Sequence, residues 1–170
     1  MRQRRIIVLT GPPGSGKTTT CLRLVDLARR HGLDCAGIIS PARFEGAIFD
    51  GVIFDGDAKV GIDVLDARTG QGRPLAEADD SPADLRTTRY RFDTDAMAWA
   101  ATILDSACPC DVLVVDELGP LELERGQGWV NALRVLRDGL YDLAVVVVRP
   151  GLIDAFRAAM GDVPVDLFTL

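Results

Sequence analysis

At 170 residues, 48% of them hydrophobic and 26% charged, the chain has the mass for one buried core and lacks the bias of a disordered or fibrous protein. Lys plus Arg number 19 against 25 Asp plus Glu, and the resulting charge of −6 repels a polyphosphate backbone, which argues against DNA or RNA as a partner. Such a protein can still hold a small anion where a nest of backbone N–H groups and one cation override the global field at short range.

Met1 to Arg5 is basic, but the apolar run behind it is only Ile6 to Leu9 before Thr10 and Gly11-Pro12-Pro13, too short for an export signal. The apolar run Leu143 to Val148 is far too short to span a bilayer. The expectation is a cytoplasmic protein with no membrane partner. The four cysteines, Cys21, Cys35, Cys108 and Cys110, then read as thiols of a reducing compartment. Cys108-Pro109-Cys110 invites zinc, yet zinc needs four ligands, and His31, Cys21 and Cys35 lie far off on an expected helix and strand. A pair of small residues before a buried strand is the preferred reading.

Ile6 to Leu9 suits a strand buried on both faces. From Thr18 the apolar residues Cys21, Leu24, Val25 and Ala28 recur at helical spacing, with Arg29, Arg30 and His31 in the last turn and Gly32 as a stop. Cys35 to Ile39 is the next strand. Ala47 to Leu65 is β-rich, and the echo Ile48-Phe49-Asp50-Gly51-Val52, Ile53-Phe54-Asp55-Gly56-Asp57 places Asp-Gly turns between apolar runs, so an antiparallel hairpin insertion is expected over about 44–66. A calcium loop at Asp50, Asp55 and Asp57 lacks the EF-hand spacing and its closing Glu. Gln71 to Asp93, polar and aperiodic, reads as a surface loop or lid over about 71–93 carrying Arg73, Arg86, Arg89 and Arg91. A helix from Thr94 or Asp95 to about Ala107 follows. Next come a strand Val112 to Val115, a helix from about Gly128 to Asp138, a strand Leu143 to Val148, a helix Leu152 to Met160 and a last strand near Val165 to Phe168. Strands alternating with helices predict an α/β three-layer fold, a mainly parallel sheet with helices on both faces, in a single domain over 1–170.

Gly11-Pro12-Pro13-Gly14-Ser15-Gly16-Lys17-Thr18, followed by Thr19, satisfies G-x-x-x-x-G-K-[ST] at every fixed position, after a predicted buried strand and at the start of a helix. The glycines let the backbone bend around an oxyanion and turn its N–H groups inward, while the helix N-terminus adds positive potential. Lys17 supplies a mobile charge for β and γ phosphates, and the Thr18 hydroxyl can ligate Mg²⁺. Val112-Leu113-Val114-Val115-Asp116-Glu117 is a hydrophobic strand ending in two acids. In a parallel sheet its carboxyl end shares an edge with the phosphate loop, which predicts Asp116 at the metal and Glu117 on a water attacking the γ-phosphate. The same topology brings Ser40 to Arg43 and Arg149 to that edge. An arginine there either neutralises charge on the transferred phosphoryl group or pairs with a surface acid. For Arg86, Arg89 and Arg91 the choice is between closing over the triphosphate and a solvated loop.

With these motifs in place, the chain resembles the small P-loop nucleoside-triphosphatases first described from thermophiles, the Thep-type NTPases, over nearly its whole length. The resemblance is carried by residues 11–19, the Gly37 strand leading to Arg43, Gly61-Ile62-Asp63-Val64-Leu65-Asp66 with Pro74-Leu75-Ala76, and Asp116-Glu117-Leu118-Gly119-Pro120-Leu121-Glu122. It implies a P-loop NTPase fold and hydrolysis of ATP, GTP and other nucleoside triphosphates with Mg²⁺, with loose base choice. It also implies that Arg43 joins the nucleotide-binding residues. The chain departs from the family pattern in a longer stretch between Arg43 and Gly61 and in Arg149-Pro150-Gly151, a loose match to a basic turn.

Two rival functions use the same loop. A small-molecule or nucleotide kinase would use Arg73 to Arg91 as a lid that excludes water. A nucleotide-dependent switch would use the D-x-x-G pattern of Asp116 to Gly119. Against a Ras-like switch, no Asn-Lys-x-Asp string exists, and Lys59 is the only lysine outside the phosphate loop.

Overall fold

The computed structural model describes residues 4–44, 59–78 and 90–170. The elements in chain order are β1 (Arg5–Thr10), α1 (Lys17–Arg30), β2 (Cys35–Ile39), β3 (Ala42–Phe44), β4 (Lys59–Asp66), β5 (Gly72–Ala78), β6 (Tyr90–Phe92) and α2 (Thr94–Asp105). They continue with β7 (Val112–Leu118), α3 (Pro120–Leu123), α4 (Val130–Asp138), β8 (Leu143–Val148), a 3₁₀ turn Pro150–Leu152, α5 (Ile153–Met160) and β9 (Val165–Thr169).

The strands form one mixed sheet ordered β6-β5-β4-β2-β7-β8-β1-β9, with β3 on β4. β2, β7, β8, β1 and β9 are parallel; β3, β4, β5 and β6 extend the sheet from β2 as antiparallel strands. The continuous apolar runs of the central strands feed two cores by period-2 alternation. Ile6, Val8, Leu113, Val115, Ala144 and Val146 face the side covered by α2, α4 and α5, where Ala100, Leu104, Leu136 and Phe156 pack on them. Leu9, Val112, Val114, Val145 and Val147 face Cys21, Val25 and Ala28 of α1. This is a three-layer α/β fold, a largely parallel sheet with helices on both faces. At Gly37, φ is +110° and a Cβ would collide with the Val114 carbonyl, so β2 approaches β7 only because the residue lacks a side chain.

Several boundaries differ from the sequence expectation. Within the stretch expected as a loop or lid over 71–93, residues 72–78 and 90–92 are strands. Pro74 sits in β5 beside a register shift of β4 between Ile62 and Asp63, a place where a missing N–H is tolerated in a sheet. β7 continues through Asp116 and Glu117 to Leu118 rather than ending at Val115. α4 begins at Val130, after Gly128. In the hairpin region over 44–66, Lys59–Asp66 is one strand pairing with β2, β3 and β5. The Ile48–Asp57 echo, its calcium alternative, and Arg86 and Arg89 lie outside the described residues.

Candidate active site

β1 delivers the chain to its carboxyl edge at Thr10, and the loop that follows turns back into α1. Gly11 has φ +141°, and a Cβ there would lie 2.5 Å from the Leu170 carbonyl oxygen and 2.9 Å from Ser15 Oγ. Gly16, at φ 92° and ψ 17°, is the N-cap of α1 and so offers no side-chain acceptor; the first turn carries no acid either. The amides of that turn and the positive end of the helix are left for an anion. Lys17 folds back over the loop, and its Nζ donates to the carbonyl oxygens of Gly11 (2.9 Å) and Pro12 (2.8 Å) and to Ser15 Oγ (3.3 Å). Pro12, Pro13, Gly14 and Thr19 are exposed around this cradle.

β8 lies between β1 and β7, so Asp116 is two strands from the phosphate loop's own strand. The gap is closed by side chains. Asp116, 2% exposed, lies beside the Thr18 side chain and accepts a bond from the Ser40 N–H at 3.4 Å. Burial pushes its carboxyl up to about 6; the Thr18 side chain lowers it, the neighbouring Glu117 raises it, and the Ser40 N–H and the Lys17 ammonium lower it. Glu117, the next residue, receives Arg149 Nε at 3.1 Å and Nη2 at 2.9 Å, both on Oε1.

Thr18 and Asp116, named from the sequence for Mg²⁺, are thus in contact. Their oxygens suit a hard cation that takes one or two protein ligands and fills its octahedron with water and phosphate. No group of three or more His, Cys, Asp or Glu among the described residues offers a fuller cage. Among the described residues, the buried hydroxyls Thr10 Oγ1 and Ser40 Oγ have no hydrogen-bond partner; Thr10 precedes the loop and Ser40 adjoins Asp116. Such unmet bonding capacity suits a site that receives water and phosphate oxygens, so the residues present fit Mg²⁺.

Arg43 stands apart from this group. Its Nη1 pairs with Asp63 Oδ1 at 3.1 Å across Gly61, where a Cβ would lie 2.6 Å from Arg43 Nη2. Its hydrogen bond among the described residues thus runs to β4 and not to the loop. Arg91 pairs at 3.7 Å with Glu77, both well exposed. Glu122, the last residue of the Asp116 to Glu122 string, joins two elements. Its buried carboxylate accepts the Gly119 N–H at 2.9 Å and the Trp129 N–H at 3.1 Å, capping α3 and tying it to the start of α4. The signal was present, since Pro at the first position and Glu at the third mark a helix start. The Arg149–Glu117 pair joins residues 32 apart in sequence and had no local signal.

The fold and this edge define a P-loop nucleoside-triphosphatase class of protein. The NTPase family model matches residues 6–165, and the chain belongs to that family. The nucleoside-triphosphatase THEP1 of Methanopyrus kandleri is 32% identical over 133 residues, which span 78% of this chain and 67% of that protein. The THEP1 of Thermofilum pendens is 27% identical over 165 residues, 96% of this chain and 85% of that one. Among solved structures, a human cancer-related nucleoside triphosphatase superposes with a TM-score of 0.66 at 24% identity over 98% of this chain and 88% of its own. The THEP1 of Aquifex aeolicus gives 0.59 at 20% identity, over 97% and 89%; these two likenesses establish the fold. Among the described residues, no helix is long and apolar enough to cross a membrane.

Proposed function

We propose that the chain hydrolyses ATP, GTP and other nucleoside triphosphates to the diphosphate and phosphate, with Mg²⁺, as a single P-loop domain over 1–170. The observation that carries this reading is the contact between Thr18 of the loop and buried Asp116 of β7. It joins the phosphate cradle to the acidic strand end across an intervening strand. Residues 11–19 would bind the triphosphate through their amides, with the Lys17 ammonium at the β and γ phosphates. Thr18 and Asp116 would hold Mg²⁺, which when bound neutralises charge on the phosphate oxygens. Glu117 orients a water for in-line attack on the γ-phosphorus. The bond from that phosphorus to the bridging oxygen breaks, and the water's proton passes to Glu117 or to the departing phosphate. Arg43 is proposed as an outer contact to the nucleotide once its pairing with Asp63 is exchanged. The four free thiols support a reducing, cytoplasmic setting.

Phosphate release from purified protein with Mg²⁺ and ATP or GTP, and no acceptor, tests the reading. The parent protein is expected to turn over, and Lys17→Ala and Glu117→Gln to lose about 10²- to 10³-fold. Diphosphate formed only on adding an acceptor metabolite, with the phosphoryl group on that acceptor and no free phosphate, would indicate a kinase. Tight binding without turnover would indicate a switch.

A further inference from the structure

Because β8 runs between β1 and β7, the residue that follows it leaves the sheet between the phosphate loop and the acidic strand end. That residue is Arg149. Its backbone is extended at φ −65° and ψ 145°, it is followed by the 3₁₀ turn that opens at Pro150, and the pairing of Val148 with Leu118 ties the two strand ends together. The guanidinium root is therefore fixed beside Glu117. Its Nε and Nη2 both converge on one oxygen, Oε1, at 3.1 and 2.9 Å. Among the described residues no hydrogen bond engages Glu117 Oε2.

The pair does little for the fold. The Arg149 side chain is 59% exposed and that of Glu117 35%, and ion pairs so exposed to solvent add little to stability. What the geometry does achieve is orientation. A carboxylate on a flexible side chain, gripped at one oxygen by two donors from a neighbouring strand, has its rotation restricted and its second oxygen presented in one direction.

We propose that Arg149 is a positioning residue for the hydrolysis. It holds Glu117 by Oε1 so that Oε2 is the oxygen that receives the attacking water. The inference rests on the reading of Glu117 as the water-orienting group and goes beyond it by assigning the residue that aims it. Misplacing a reacting group by about 1 Å can cost about 10²-fold in rate, so loss of the clamp is expected to lower kcat by roughly 10- to 100-fold. KM for the triphosphate should stay within about twofold, because the clamp does not touch substrate.

The test is steady-state phosphate release by the parent protein, Arg149→Ala, Arg149→Lys, Glu117→Gln and the double variant Arg149→Ala/Glu117→Gln, with thermal unfolding of each. The inference predicts unchanged unfolding midpoints, a kcat loss in Arg149→Ala with KM preserved, and partial recovery in Arg149→Lys. It also predicts a double variant no slower than Glu117→Gln, because a clamp has nothing left to aim once the carboxylate is gone. If Glu117→Gln loses activity while Arg149→Ala retains or exceeds the parent kcat, the positioning role is overturned and the Glu117 reading survives. If the two losses multiply, or KM rises with the kcat loss, Arg149 acts on the triphosphate directly and the clamp is overturned. If Glu117→Gln is fully active, the reading of Glu117 itself has failed.

Discussion

Asp116, proposed for the metal, shows how a single buried charge can be costly to the fold. At 2% exposure its carboxyl is pushed up from 3.8 to about 6, mainly by burial. A carboxyl raised in the folded state binds its proton more tightly there than in the unfolded chain. The penalty is therefore absent below about pH 4, grows between pH 4 and 6, and is fully present above. Its size is about 3 kcal/mol, since a tenfold change in proton affinity corresponds to about 1.4 kcal/mol. Asp116→Asn, which keeps the shape and removes the charge, is expected to raise metal-free stability at pH 7.5 by up to about this amount in urea unfolding and to leave it unchanged at pH 4. Magnesium-dependent nucleotide affinity should fall in the same variant. Equal stability gains at both pH values would show that the buried charge is not what the fold is carrying.

At the scale of elements, the short helix α3, which follows β7, depends on one side chain. Glu122 satisfies two buried backbone donors, Gly119 N–H and Trp129 N–H, and at Gly128 a Cβ would collide with that carboxylate. Leaving buried donors unpaired costs about 1–3 kcal/mol each. Glu122→Ala is expected to lose about 2–4 kcal/mol in urea unfolding, with Glu122→Gln intermediate because it retains one acceptor. A loss below about 0.5 kcal/mol would mean that water replaces the cap. The elements that were legible in the sequence have local signatures: the run Ile6 to Leu9, the glycine turn, the helical spacing from Cys21 to Ala28, and the run Val112 to Val115. β5 and β6 were not legible. Only Leu75 and Ala76 of β5 are buried, and Arg73 and Pro74 break the alternation, so these strands are specified by pairing with β4 and with each other. β7 outran its expected end because Asp116 and Glu117 read as a polar stop, while their neighbours Val115 and Leu118 continue the pairing with β8.

At the scale of the whole molecule, the candidate site is an edge property. Thr10, Ser40, Asp116 and Arg149 come from four chain segments and lie along one edge because β1, β2, β7 and β8 run the same way. The phosphate loop and the Asp-Glu pair were visible from spacing alone, and parallel topology brought them to one edge. The order of strands was not visible. Only that order, with β8 between β1 and β7, explains why Arg149 meets Glu117 and why Asp116 reaches the loop through Thr18. The net charge of −6 makes the molecule a poor general partner for polyanions, and the proposed function assigns affinity for a triphosphate to this edge. Isothermal titration of the folded protein with a non-hydrolysable triphosphate analogue and Mg²⁺ tests that directly. Saturable one-site binding is expected, lost in Lys17→Ala and weakened when Mg²⁺ is withheld. Protein that is fully folded yet releases no heat with the analogue and Mg²⁺, and shows no rise in unfolding midpoint, would contradict it.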